Sequence, residues 1–348
     1  MRLREILARI PKKYLHLKIF NIIKYKIFTK YQLLKLPYLP LTMDIEPTTG
    51  CNFRCTMCDV SSPNWVTKNM KIETFKKIID MNKQLLQIKL QGMGEPFVNK
   101  NYIQFIDYAS KYGIFVQFVT NGSLLTEKII DNLYNKDNIS NINVSIDGAT
   151  KKTFEGIRIR SDFDKVIKNT SKLILKIKTK NKKKRPIFTA LSLIQKDNVH
   201  EAEQIMYLCK KMGFDELCYQ VQLTGWGKKE WEANNLKKDI NYNNSNKKLF
   251  EEIVQKAKKI DFPVKVIEEN LLSKKNQCGY PWNTPYINTE GKVTPCCMIP
   301  DPNVLSLGSI EKTNFDKIWN SKTYQDFRND IKSHQLREYC KNCYRSRN

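Results

Sequence analysis

The sequence predicts an α/β fold, a partial (β/α)6 TIM-type barrel followed by a small, cysteine-rich C-terminal domain. Three observations carry this reading. Short strand-like runs alternate with helical segments six times between Leu41 and about Thr224. Polar motifs fall just after those strands, where barrels keep their working residues. Cysteines gather at two places, 51–58 and 278–343.

Residues 1–41 mix Lys and Arg with Leu, Ile, Phe and Tyr, as in LHLKIFNIIKYKIF, until Pro37 and Pro40 break the pattern. This is a basic amphipathic N-terminal extension, expected to pack on the protein's own surface or cover a barrel end, with at most peripheral membrane contact. The core is expected over 42–225. Its strands are LTMDIEP, QIKLQG, IFVQFVTNG, NINVSID, IFTALSLI and ELCYQVQL, separated by helices such as KIETFKKIIDMNKQ and SDFDKVIKNTSKLILKIK. Repeats of this kind build a parallel sheet wrapped by helices through right-handed crossovers. Period-2 alternation puts Asn143, Ser145 and Asp147 opposite Ile142, Val144 and Ile146, and Asp44 and Glu46 opposite Met43 and Ile45. The apolar faces meet the helices, so the barrel interior is expected to be polar and to hold a ligand. The basic stretch Lys172–Arg185 is read as a solvated loop between a helix and the next strand, at the amino-end face. Residues 226–277 read as a connector, and 278–348 as the second domain.

Composition limits the function. The chain has 348 residues, 41% hydrophobic and 27% charged, enough to bury a full core. No apolar run reaches the ~18 residues of a membrane span and no secretory signal precedes the fold, so a cytoplasmic location is expected. Ten cysteines in such a chain point to metal or cluster ligation, because cytosolic thiols stay reduced. The three histidines, His16, His200 and His334, form no ligand pattern. The net charge of +25 is dispersed and no nucleic-acid-binding motif accompanies it, so no nucleic-acid partner is expected. The charge suits docking of an acidic electron donor of the flavodoxin or ferredoxin type.

The segment EPTTGCNFRCTMC sets Cys51, Cys55 and Cys58 in CX3CX2C spacing on a loop after the first strand. A closed zinc site usually takes paired CX2C-like ligands, which the CX3C half fits poorly. A 4Fe-4S cluster normally takes four thiolates, so three leave one iron open. Further along lie QGMGEPF, VTNG and VSIDG, each at a strand end, and the C-terminal set Cys278-X12-Gly291-X4-Cys296 with Cys340-X2-Cys343. Four thiols there suit an iron-sulfur cluster or a tetrahedral zinc.

The CX3CX2C loop resembles the signature of radical S-adenosylmethionine (SAM) enzymes, in which SAM chelates the open iron and is cleaved to a 5′-deoxyadenosyl radical. The resemblance covers roughly residues 42–343. It implies that Cys51, Cys55 and Cys58 are the catalytic cluster ligands. Gly94, Glu95 and Pro96 resemble the motif that receives the SAM amino group, with Met93 replacing a glycine common in the family. Ser145 and Asp147 resemble residues that hold the ribose and carboxylate, and Arg158 the arginine that pairs the carboxylate. Asn121 and Leu193 are candidate ribose and adenine contacts. The C-terminal pattern, with GSIEKTNFDKIWNSKTYQDFR after it, is similar to the SPASM/Twitch auxiliary-cluster domain. It implies Cys278, Cys296, Cys340 and Cys343 as ligands of one auxiliary 4Fe-4S cluster, the GX4C count selecting Cys296 over Cys297. Cys209 and Cys218 are left as core thiols, Cys218 also as a candidate hydrogen-atom donor. Tyr219, Gln220, Gln222 and Trp226 are expected to face the substrate.

The function expected from this resemblance is oxidoreductase-type hydrogen abstraction from a small polar molecule, a sugar, cyclitol or nucleotide-sugar, by dehydrogenation or epimerisation. Two alternatives stand beside it: a maturase acting on a ribosomally made precursor peptide, and a non-catalytic zinc-binding interaction protein.

Overall fold

A computed structural model describes residues 9–181, 185–240, 244–267, 278–341 and 343. Its framework is a ten-stranded sheet in the order β12-β11-β10-β1-β3-β4-β5-β7-β8-β9. The six expected strands are β1 (Thr42–Ile45), β3 (Gln87–Leu90), β4 (Phe115–Thr120), β5 (Ile139–Ser145), β7 (Ile187–Leu193) and β8 (Glu216–Gln220). They pair in parallel in chain order. The sheet runs on at both edges. β9 (Val264–Ile267), from the segment read as a connector, pairs in parallel with β8. β10 (Tyr286–Ile287) pairs in parallel with β1 and carries the antiparallel β11 (Lys292–Thr294) and β12 (Gly308–Ser309). A separate small ribbon joins β2 (Arg54–Cys55) to β6 (Arg158–Ile159).

Local chemistry fixes the helix ends. The side chains of Thr126, Thr150, Asp162 and Ser321 each accept a backbone N–H of the first helical turn that follows. Each such cap stabilises its helix by about 1 kcal/mol. Helix Ala202–Met212 stops at Gly213, whose φ of 91° is left-handed. Between helices and sheet, Ile88, Phe118, Ile142, Phe188 and Leu217 are fully buried, and Phe75 stacks on Phe105 at 4.6 Å.

The barrel interior is polar, as alternation requires. Gln87 bonds Gln117 and Ser140, Asn141 bonds Thr189, Thr189 bonds Glu216, and Lys89 pairs with Asp44. These lateral contacts satisfy groups that would otherwise cost free energy in a dry core.

Two expectations change. Tyr219 points away from the interior: its hydroxyl donates to the Ala202 carbonyl and its ring meets Phe250 at 5.2 Å. Alternation demands this once Cys218 and Gln220 face inward. The basic stretch is not wholly a loop either, because Lys172–Lys178 form the end of helix Phe163–Lys178. Lys172, Lys176 and Lys178 pair there with Glu127, Asp131 and Asp215; residues 182–184 lie outside the described residues.

Within the first 41 residues, helix Lys12–Phe28 lies across the amino end of the barrel, where Ile10 and Ile22 pack on Leu86 and the Lys18 ammonium donates to the Leu85 carbonyl. No helix among the described residues is long and apolar enough to cross a membrane.

Candidate functional site

β1 leads directly into the cysteine loop, and the loop is tied down at every step. The Thr48 hydroxyl accepts the Gly50 N–H, Thr49 N–H bonds the Lys68 carbonyl, and the Gly94 and Glu95 N–H groups donate to the carbonyls of Thr48 and Gly50. A Cβ on Gly94 would sit 2.4 Å from the Gly50 oxygen and 2.6 Å from the Thr48 oxygen, so only glycine lets these loops touch. The β2–β6 ribbon sets Cys55 opposite Arg158, and the Arg54 guanidinium donates to the carbonyls of Cys51 and Phe53.

This winding brings three half-buried thiols close enough to perturb one another. Burial, with Cys55 and Cys51 as neighbours, pushes the Cys58 thiol up to about 12. Burial also pushes Cys51 up to about 11, opposed by the Phe53 N–H that donates to its sulfur. Three such thiols become thiolates only around a cationic centre. Among the described residues no three His, Cys, Asp or Glu groups close on a single ion. A cubane spreads its thiolates around four irons rather than at a point, so this donor set fits a 4Fe-4S cluster with one iron left free.

Beside the loop, the barrel's carboxyl end holds a cavity of about 240 Å³ lined by Met57, Gln91, Met93, Ser145, Arg158, Leu193, Gln220 and Trp226, among others. Of the expected contacts, Ser145, Arg158 and Leu193 reach this cavity. Glu95, Asn121 and Asp147 stand behind its wall. Glu95 accepts from the Thr120 hydroxyl and the Asn121 N–H, both at 2.7 Å, and burial raises its carboxyl to about 7. Asp147 accepts the Leu193 N–H and pairs with Arg158 at 2.6 Å. Burial raises the Asp147 carboxyl, opposed by Arg158. With all four oxygens engaged, these carboxylates brace the wall and orient Arg158, which also points an N–H at the Cys55 sulfur, 3.9 Å away. Pro96 opens a short helical turn behind Glu95. Buried polar atoms of Gln91, Trp226 and Arg158 (Oε1, Nε1 and Nε) have no protein partner, as expected for groups that await a ligand.

Sequence reasoning put Glu46 on the inward face without giving it a role, and missed Cys297 among the lining residues. Glu46 abuts Gly92, accepts the Met93 N–H at 3.0 Å, and is pushed by burial to about 7. Its inward face was already fixed by alternation in TMDIE. Cys297 lines the cavity together with Cys218, and its thiol donates to the Tyr280 hydroxyl. Gln222 lies in an adjoining groove.

The second cysteine set converges. Cys278, Cys296, Cys340 and Cys343 line one small apolar cavity walled by Pro281, Ile299, Phe327 and Ile331. Burial, with Cys278 and Cys343 beside it, pushes Cys340 up to about 12, and Cys296 is raised by burial and its thiol neighbours. Four converging thiols, Cys296 and Cys340 buried and Cys278 and Cys343 half-buried, suit a fully ligated cluster. Gly291 turns the chain with φ of 73°, where a Cβ would meet Ile310 at 2.7 Å. Cys209 is buried in the barrel core.

Comparison with known proteins agrees with this geometry. Residues 45–209 match the sequence profile of the Radical SAM superfamily, and residues 278–344 that of the SPASM iron-sulfur cluster-binding domain. The chain is 25% identical over 321 residues to the antilisterial bacteriocin subtilosin biosynthesis protein AlbA of Bacillus subtilis, covering 88% of this chain and 67% of AlbA. It is 23% identical over 319 residues to the PqqA peptide cyclase of Bradyrhizobium diazoefficiens, covering 88% of this chain and 79% of the cyclase. In fold it is similar to Streptococcus suis SuiB, solved bound to the precursor peptide SuiA, with a TM-score of 0.69 and 14% identity over 88% of this chain and 70% of SuiB. The cofactors are accordingly SAM and 4Fe-4S clusters.

Proposed function

From the premise that the chain is a radical SAM enzyme with a SPASM domain, we propose that it is a maturase that modifies a precursor peptide. The observation that carries this reading is the shape of the space around the site. The central cavity adjoins two further spaces of similar size, one through Met93 and one through Leu223, Thr224 and Met298. The first runs past Trp65, Asn288 and Pro302, the second past Glu232, Leu236 and Tyr339. A path of this kind accepts an extended chain on either side of one reacting residue, which a sugar does not need. The names of the relatives, a bacteriocin biosynthesis protein and a peptide cyclase, support peptide over the expected sugar, cyclitol or nucleotide-sugar. A non-catalytic zinc protein has no use for such a cavity.

In this reading Cys51, Cys55 and Cys58 hold the open cluster, and Cys278, Cys296, Cys340 and Cys343 hold a single auxiliary one, as in the Twitch type. With SAM and a reduced cluster bound at these residues, the site would have a hydrogen-abstracting radical available to it. The protein's own residues set where it acts. Arg158, fixed by Asp147, presents a cation to the SAM carboxylate; a guanidinium fork suits that task. Ser145 and Leu193 line the place of the nucleoside, while Glu95 and Asn121 keep the loop in register. Gln91, Gln220 and Trp226 offer polar groups to a peptide backbone. A flavodoxin- or ferredoxin-type donor would supply the initiating electron, and the peptide would lose two hydrogens, one as an atom to the radical and the other as a proton to solvent with its electron passed to the auxiliary cluster.

The test pairs the anaerobically reconstituted chain with short peptides encoded beside its gene, SAM and a reductant. The expected product is a peptide lighter by two hydrogens, seen by mass spectrometry alongside 5′-deoxyadenosine. Turnover of nucleotide-sugars with no change in any such peptide would refute it.

A further inference from the structure

The helix at the barrel's amino end has apolar residues on two faces, and the fold uses one of them. Its inner face is fully occupied. Ile22 is buried, Asn21 clamps both the N–H and the carbonyl of Leu39, Tyr25 bonds Asn283, and Lys18 is capped by a carbonyl. The outer face carries Leu17, Phe20, Ile23 and Ile27, continued by Tyr31 in the next turn. Residues spaced by three and four form one stripe on a helix. Of the twelve large apolar side chains exposed among the described residues, six lie between positions 17 and 31, while the others are scattered. An apolar concentration of this kind marks a contact surface.

We propose that this face docks on an anionic lipid surface. Charge selects the occupant. Lys12, Lys13, Lys24, Lys26 and Lys30 share the segment, and the Lys24 and Lys30 ammonium groups sit 4.3 and 4.9 Å from the rings of Phe20 and Tyr31. Lysine stems lying along apolar side chains with their charges beside them are the arrangement that sinks rings below headgroups while ammonium groups meet phosphates. A second copy of the chain is disfavoured, since each copy carries a net +25 and the same lysines would face each other. The helix covers the amino end of the barrel, so docking leaves the carboxyl-end cavity open.

The full chain is mixed with vesicles of phosphatidylcholine alone, or with about 30% phosphatidylglycerol, and sedimented. The account expects binding to the anionic vesicles only. It expects at least a tenfold loss for the triple variant Phe20→Ser, Ile23→Ser, Ile27→Ser, whose circular dichroism should match the parent because these side chains are exposed. In a separate Phe20→Trp variant, fluorescence attributable to the new indole should shift to the blue on anionic vesicles. Equal binding by the triple variant, which would reduce the effect to net charge, overturns the proposal. So does a dimer in solution that the triple variant abolishes, or an absence of binding to anionic vesicles.

Discussion

Cys296 and Cys297 are neighbours in sequence and part ways in space: Cys296 joins the auxiliary thiols, while Cys297 lines the central cavity. One peptide unit therefore forms part of the wall between the two sites. The cysteine loop was legible because its information is local; three thiols within eight residues can only surround one object. Gln91 and Cys297 were not, since each owes its place to pairing with distant parts of the chain; for Glu46 alternation gave the inward face but not its contact with Gly92 and Met93. The roles of Glu95 and Asp147 were illegible for a related reason: their donors, Thr120, Asn121, Leu193 and Arg158, come from other strands and loops. Gly94 gives the sharpest residue-scale prediction. Its forbidden Cβ meets backbone rather than a yielding side chain, so Gly94→Ala should cost about 1–3 kcal/mol of stability. By displacing the cysteine loop it should also lower bound iron after reconstitution from about eight to about four per chain. Iron analysis and denaturant unfolding check both.

At the scale of elements, strand and helix periodicity anticipated the six β/α units, because each has its own hydrophobic pattern and turn. β9 and β10 escaped, being four and two residues long; helix Asn244–Lys259 precedes β9, but the polar, Asn- and Lys-rich sequence around that pair reads as a connector. Such strands exist because a neighbour's unpaired edge recruits them. The helix Lys12–Phe28 adds a test of electrostatics. Burial lowers the Lys18 ammonium to about 7. Between pH 7 and about 10.5 the unfolded chain then holds a proton that the folded one lacks, so this group makes stability rise with pH across that window. Urea midpoints of the parent and Lys18→Met, compared at pH 7 and 9, should differ in slope, the variant rising less. Parallel slopes would mean that Lys18 stays charged when folded.

Over the whole molecule, the chain is stitched rather than strung. Residues 33–39 clamp the C-terminal part: the indole N–H groups of Trp282 and Trp319 donate to the Leu33 and Tyr38 carbonyls, and Asn320 bonds Leu36 in both directions. The buried Arg328 guanidinium donates to the Leu34 and Pro281 carbonyls and lies 4.4 Å from the rings of Trp319 and Tyr324. Near the candidate site, Lys228 bridges Asp59, just past the cysteine loop, to Asp301, shortly after Cys296 and Cys297, at 2.7 and 3.1 Å. Removing it leaves the buried Asp59 without its cation. Lys228→Ala should therefore destabilise the chain by about 1–3 kcal/mol and Lys228→Arg by less, as read from denaturant unfolding.

The central claim is that three thiolates hold a cluster with one iron reserved for SAM. Its most direct measurement is the chain loaded with iron and sulfide under anaerobic, reducing conditions and given SAM. The account predicts 5′-deoxyadenosine and methionine in equal amounts, and none from Cys58→Ala even though the auxiliary cluster still assembles. A parent protein that carries both clusters yet leaves SAM intact would contradict it.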